Sequence, residues 1–234
     1  MTGLRIFDSG LRQSKRLLRL YRMSLYQQLY SRWDGSRLAF SDCTYTELHH
    51  QVLGTVHWLR QKGVSKGDII CVQLPKSRRL LLLLLAGLAM GSPVLPLNDK
   101  YTAQEVLYYL QDVRAGLSIL MESTEWGGNS LQISEIPEDF SPRSDVIIPD
   151  DIEFEELALL LYTSGTTGKP KGAMISHGNL LASIKGLHDE WQWTPEDRLF
   201  HMLPLFHVHG LVVAQLGALY ANAYTEWAPK KWDA

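Results

Sequence analysis

The chain has 234 residues, 45% of them hydrophobic and 21% charged, with a net charge of −2. This is an ordinary globular composition, enough for one large or two small domains, and its near-neutral charge argues against a broad basic surface for nucleic acid or acidic membranes. Cys43 and Cys71 form no C-x-x-C and have no histidine at metal spacing, so they read as core or strand thiols in a reducing compartment.

The first 22 residues carry Arg12, Lys15, Arg16, Arg19 and Arg22 against a single nearby acid, Asp8. An Arg-rich, acid-poor segment without an apolar secretory region is read in three ways: an organelle transit segment, an extension ahead of a start at Met23, or a solvated basic helix. The expected location is cytoplasmic, with the mitochondrial matrix as the alternative if residues 1–22 are a transit segment.

From Arg37 the pattern is punctuated α/β. "RLAFSDCTYTEL" predicts two short strands about a turn at Ser41-Asp42, then a helix capped by Thr46, with Leu48, Val52, Val56 and Leu59 on one face and Gly63 at its close. "IICVQL" reads as a strand buried on both faces. Ser77 opens the run "LLLLLLAGLAM" (80–90), which ends at Gly91; it is too short for a hydrocarbon core that needs about 20 helical residues, and reads as a buried helix. "PVLPL" follows as an extended piece whose Pro93 and Pro96 predict a position near a sheet edge.

Thr102-x-x-Glu105 is a capping box for a helix carrying Val106, Leu107, Leu110 and Val113, and "LSILM" is the next strand. This alternation predicts an open sheet with right-handed crossovers, covered by helices. Residues 122–155, with Gly127-Gly128, Pro137, Pro142 and Pro149, read as a long surface connection with solvated acids.

"LALLLYT" restores a buried strand, and "SGTTGKPKG" follows at its carboxyl end, where open α/β sheets place ligands. Gly165, Gly168 and Gly172 allow close backbone approach to an anion. Thr163, Ser164, Thr166 and Thr167 offer hydroxyl donors, and Lys169 and Lys171 add charge. On composition alone a polyphosphate site and a plain flexible turn both fit. The spacing is not that of a Walker A loop, because two residues separate Gly165 from Gly168 and Pro170 follows the lysine. Further on, His201, His207 and His209 lie close in sequence, but His-x-His without a third ligand makes a poor metal site, and no metal is assigned.

"YTSGTTGKPKG" (162–172) resembles the signature of the adenylate-forming superfamily of acyl-CoA synthetases, peptide-synthetase adenylation domains and luciferases. "TYTEL" (44–48), "GVSKGD" (63–68), "LPKS" (74–77), "GSPVLPL" (91–97) and "LPLFHVHG" (203–210) resemble other blocks of it, so the likeness covers about residues 24–234. It implies part of the superfamily's large N-terminal α/β domain, with sheets flanked by helices. It also implies a two-step ligase reaction: a small-molecule carboxylate and ATP give an acyl-adenylate and pyrophosphate, then coenzyme A takes the acyl group. ATP, Mg2+ and coenzyme A are the implied cofactors, with no nucleic acid partner and no membrane span. Thr163, Ser164, Gly165, Thr166, Thr167, Gly168, Lys169, Pro170 and Lys171 are the implied phosphate-binding set, and His207 the implied contact in the acyl and adenylate pocket. "WQWTPEDRLFHMLPLFHVHGL" is similar in particular to malonyl-CoA synthetases and oxalyl-CoA ligases, implying a short dicarboxylate such as malonate.

The family's later blocks, including a Y-G-x-T-E segment, a ribose-binding aspartate, a hinge and the catalytic lysine, have no counterpart here. The expectation is therefore a partial AMP-binding N-terminal domain over residues 23–234, incomplete and weakly active or inactive as a ligase, with apolar surface open to self-association. Two alternatives are a non-catalytic nucleotide-binding or interaction protein built from the same half-domain, and an adenylation domain serving a carrier protein.

Overall fold

The computed structural model describes residues 23–163 and 170–228; the basic segment before Met23 lies outside the described residues. A capping box between Ser24 and Gln27 opens the short helix α1 (Leu25–Tyr30). Strands β1 (Leu38–Phe40) and β2 (Cys43–Thr44) pair antiparallel across the Ser41-Asp42 turn. Helix α2 (Tyr45–Gln61) starts earlier than expected: its cap is Thr44, not Thr46. Thr44 has an acid three residues on, and the Glu47 N–H donates to the Thr44 hydroxyl (3.2 Å) while the Glu47 carboxylate accepts the Thr44 N–H (2.7 Å). Thr46, with His49 at the same offset, has no such return partner. Leu48, Val52, Val56 and Leu59 are fully buried, as their spacing predicts.

Then come β3 (Ile70–Gln73), α3 (Arg78–Met90), β4 (Val94–Leu97), α4 (Ala103–Val113) and β5 (Leu117–Leu120). Ser77 caps α3, Gly91 ends it in the left-handed region at φ 70°, and every residue from Leu80 to Met90 is buried. Each such leucine removed from water contributes about 1.5–3 kcal/mol. The main sheet adds β6 (Ser130–Gln132), β7 (Leu157–Thr163) and β8 (Lys171–Ser176), in the order β6-β5-β3-β4-β7-β8. All its neighbours pair parallel except β7 and β8, which form an antiparallel hairpin.

Two expectations are corrected here. The strand with Pro96 is not at an edge but lies between β3 and β7. The Pro93 carbonyl accepts the Ile70 N–H at 2.8 Å, so by strand alternation the groups of Pro93 and Leu95 face β3 and those of Val94 and Pro96 face β7. The missing Pro96 N–H therefore falls on the β7 side, where the register pair is Val94↔Leu159 and pairing ends before Pro96. The 122–155 stretch is likewise more than a surface connection. It supplies edge strand β6 and buries Ile136, Phe140 and Ile152, and Asp151, at its end, approaches Lys66 (3.5 Å), which Glu156 approaches just beyond it (3.0 Å).

Side chains alternate across the sheet. Ile70, Val72, Val94 and Leu159 join one core with α3, whereas Cys71, Leu95, Leu97 and Leu160 join a second with Val106, Tyr109 and Leu110 of α4. Both cysteines are free and buried. After the main sheet, a Ser176–Asn179 capping box opens α5 (His177–Trp191). A small parallel pair follows, β9 (Arg198–His201) with β10 (Tyr224–Trp227), bridged by a π-helical segment (His209–Leu216) and α6 (Gly217–Ala221). Among the described residues no helix is long and apolar enough to cross a membrane.

Candidate functional site

Helices α3 and α4 leave neighbouring strands β3 and β4 and pack on opposite faces of the sheet. The carboxyl ends of such a strand pair splay their loops apart, and that gap is the usual ligand position in an open α/β sheet. A cleft of about 470 Å³ lies there, with Lys76 after β3, Asp99 after β4, and Pro204, Phe206 and Trp227 among its walls. Burial lowers the pKa of Lys76, whose ammonium donates to the His201 carbonyl at 2.9 Å.

Gln73 holds this edge together. It is the polar residue of an otherwise apolar strand and is 3% exposed. Its Nε2 donates to the carbonyls of Asn98 (3.3 Å) and Tyr101 (2.8 Å), and its Oε1 accepts the Met121 N–H (3.3 Å). One side chain thus ties the segments after β4 and β5 to β3. The polar letter inside "IICVQL" was the available signal, since a buried amide must find partners.

The glycine-rich loop leaves the same edge. Its flanks, Thr163 and Lys171, are exposed and are register partners closing the β7–β8 hairpin. Pro170 is half-buried. Ser164, Gly165, Thr166, Thr167, Gly168 and Lys169 lie outside the described residues. Gly172 is the register partner of Tyr162, and a Cβ added at Gly172 would come 3.1 Å from the Tyr162 ring. The bare glycine lets that ring lie across the hairpin, where it meets Tyr109 edge-on at 4.7 Å. The Tyr162 hydroxyl donates to Asp112, and the Tyr108 hydroxyl donates to the Pro170 carbonyl at 3.2 Å. Burial, then the Asp112 carboxylate, pushes the Tyr162 pKa well up, so the phenol stays protonated as donor.

His207 is exposed, its ring 4.4 Å from that of Phe206, a wall of the cleft. His201, by contrast, is buried with Nε2 2.8 Å from the Gly210 carbonyl. A carbonyl only accepts, so Nε2 carries the proton. Gly210 has a packing reason as well: a Cβ there would strike the Pro204 carbonyl. His201 is buried whereas His207 and His209 are exposed, and among the described residues no group of three or more His, Cys, Asp or Glu could hold a metal ion.

A sheet with its cleft at a reversal of winding, and beside it a β7–β8 hairpin that Thr163 and Lys171 close, define the N-terminal domain type of adenylate-forming enzymes. Residues 35–232 match the AMP-binding enzyme family, and the chain belongs to it. The mitochondrial malonate–CoA ligase of Mus musculus is 30% identical over 84% of this chain and 37% of its own length. The oxalate–CoA ligase of Arabidopsis thaliana is 30% identical over 69% of this chain and 35% of its own. Among solved structures, ATP-bound MatB from Rhodopseudomonas palustris superposes with a TM-score of 0.77 at 30% identity, covering 90% of this chain and 46% of that one. The chain thus spans a little over a third of those two curated relatives and just under half of that structure.

Proposed function

We propose that this chain carries the triphosphate-binding part of an ATP-dependent acid–CoA ligase. The reaction begins with attack of a substrate carboxylate oxygen on the α-phosphorus of ATP, supplied as its Mg2+ complex. The bond to the bridging oxygen breaks, and pyrophosphate leaves with the electron pair. The thiolate of coenzyme A then attacks the acyl carbon and AMP departs. In this reading residues Thr163 to Lys171 hold the β- and γ-phosphates, where negative charge grows as pyrophosphate leaves; donors already aimed at that charge lower the barrier without solvent reorganisation. His207 contacts the acyl-adenylate from the rim of the cleft.

The observation that carries this reading is the hairpin itself, which brings Thr163 and Lys171 together at the carboxyl edge of the sheet. The acid is a short dicarboxylate such as malonate, a reading supported by the malonate–CoA and oxalate–CoA ligases among the relatives. Carboxylate-dependent exchange of labelled pyrophosphate into ATP tests it. Slow exchange that favours malonate or oxalate over acetate and octanoate is expected. A preference for octanoate would overturn the dicarboxylate assignment.

A further inference from the structure

We propose that Tyr108 and Asp112 of α4 are positioning residues that clamp the two feet of the glycine-rich hairpin and so fix how it meets a triphosphate. The two are four residues apart and share one face of the helix. Asp112 accepts the hydroxyl of Tyr162, on the outgoing strand. Tyr108 donates to the carbonyl of Pro170, immediately before the returning strand, at 3.2 Å. Between them Tyr109 packs edge-on against Tyr162. One turn of helix therefore touches both ends of the loop and brackets it.

The hairpin needs such support. Lys171 to Met174 are exposed, and β8 ends the sheet, so in that stretch it gains its order from the ladder to β7 and little from burial. Phosphate recognition demands more than that, because donors misplaced by about 1 Å lose most of their advantage. The bond to Asp112 is charge-assisted and the stronger of the two. Gly172 belongs to the same device, since the Tyr162 ring reaches Asp112 across a position without a side chain.

This inference rests on the reading of the loop as a phosphate site, and its test separates the two. Calorimetric titration of the 234-residue chain with MgATP and with inorganic tripolyphosphate is compared for the parent, Tyr108→Phe, Asp112→Ala, Tyr162→Phe and their pairs. Each single variant is expected to bind both probes about fivefold more weakly, the scale of one lost hydrogen bond. Tyr108→Phe with Asp112→Ala should lose about twentyfold. Adding Tyr162→Phe to Asp112→Ala should cost nothing further, because both remove the same bond. Amide hydrogen exchange at Thr163, Lys171 and Gly172 should accelerate while Ile70 to Val72 and the melting temperature stay put. If the parent binds both probes and the double variant binds equally well, the clamp is wrong and the phosphate reading survives. If weakening comes with a lowered melting temperature and faster core exchange, the role is merely structural and the proposal fails. If the parent binds neither probe, the phosphate reading fails and the clamp falls with it.

Discussion

His177 is fully buried at the start of α5, where its Nδ1 accepts the Leu25 N–H at 3.2 Å and ties that helix to α1. The ring must be neutral to accept, and burial drives its pKa down from 6.5 to about 4. His49, against the hydroxyl of Tyr26, is lowered to about 4 by the same cause. Between pH 4 and 6.5 the unfolded chain therefore binds more protons at these sites than the folded one, so stability rises with pH across that window and is lost as pH falls through it. Melting temperatures should decline from pH 6.5 toward pH 4, and His177→Asn should flatten the decline. A variant with the parent's slope would remove His177 from the account.

At the scale of elements, α3 is buried all round and lies against β4 so closely that position 87 has no room for a methyl group. A Cβ on Gly87 would meet the Val94 Cγ2 and lie 2.8 Å from the Ser92 carbonyl. Alanine would gain about 1 kcal/mol of helix propensity, but overpacking costs about 1–3 kcal/mol, so Gly87→Ala should lower the urea midpoint. A raised midpoint would contradict this packing. The apolar faces of α2, α3 and α4 were legible in the sequence, and so were the caps of α3 and α4, because caps and helical periodicity are local. Ser77, Gly91 and Thr102 act where they stand, whereas the start of α2, read at Thr46, is capped by Thr44. Strand order was not. Pro96 reads as an edge residue until the side its missing N–H faces is known, and β6 is three residues with no apolar signature. The loop's letters carry the proposal of a phosphate site, yet the contacts at its flanks did not announce themselves. Tyr108 and Asp112 meet the hairpin feet only because Tyr162 of β7 and Pro170, just before β8, lie against α4, a contact between segments more than 45 positions apart.

For the whole molecule, the consequential feature is the carboxyl edge of the six-stranded sheet. Two cores pack its opposite faces and hold the strands in register, while Gln73 binds the segments after β4 and β5 to β3. Against that frame stand the cleft with Lys76 and Asp99 and the hairpin closed by Thr163 and Lys171. The rigid part is apolar and fixed by burial; the proposed chemistry is assigned to short polar segments that leave it. The account turns on whether those segments hold the tail of a nucleotide. Calorimetric titration with MgATP and with AMP, on the parent and on Thr166→Ala/Lys169→Ala, decides it most directly. Saturable ATP binding that weakens about tenfold in the variant, with AMP binding unchanged, is predicted from the loss of a charge-assisted contact to the β- and γ-phosphates. Equal ATP affinity in parent and variant would contradict it.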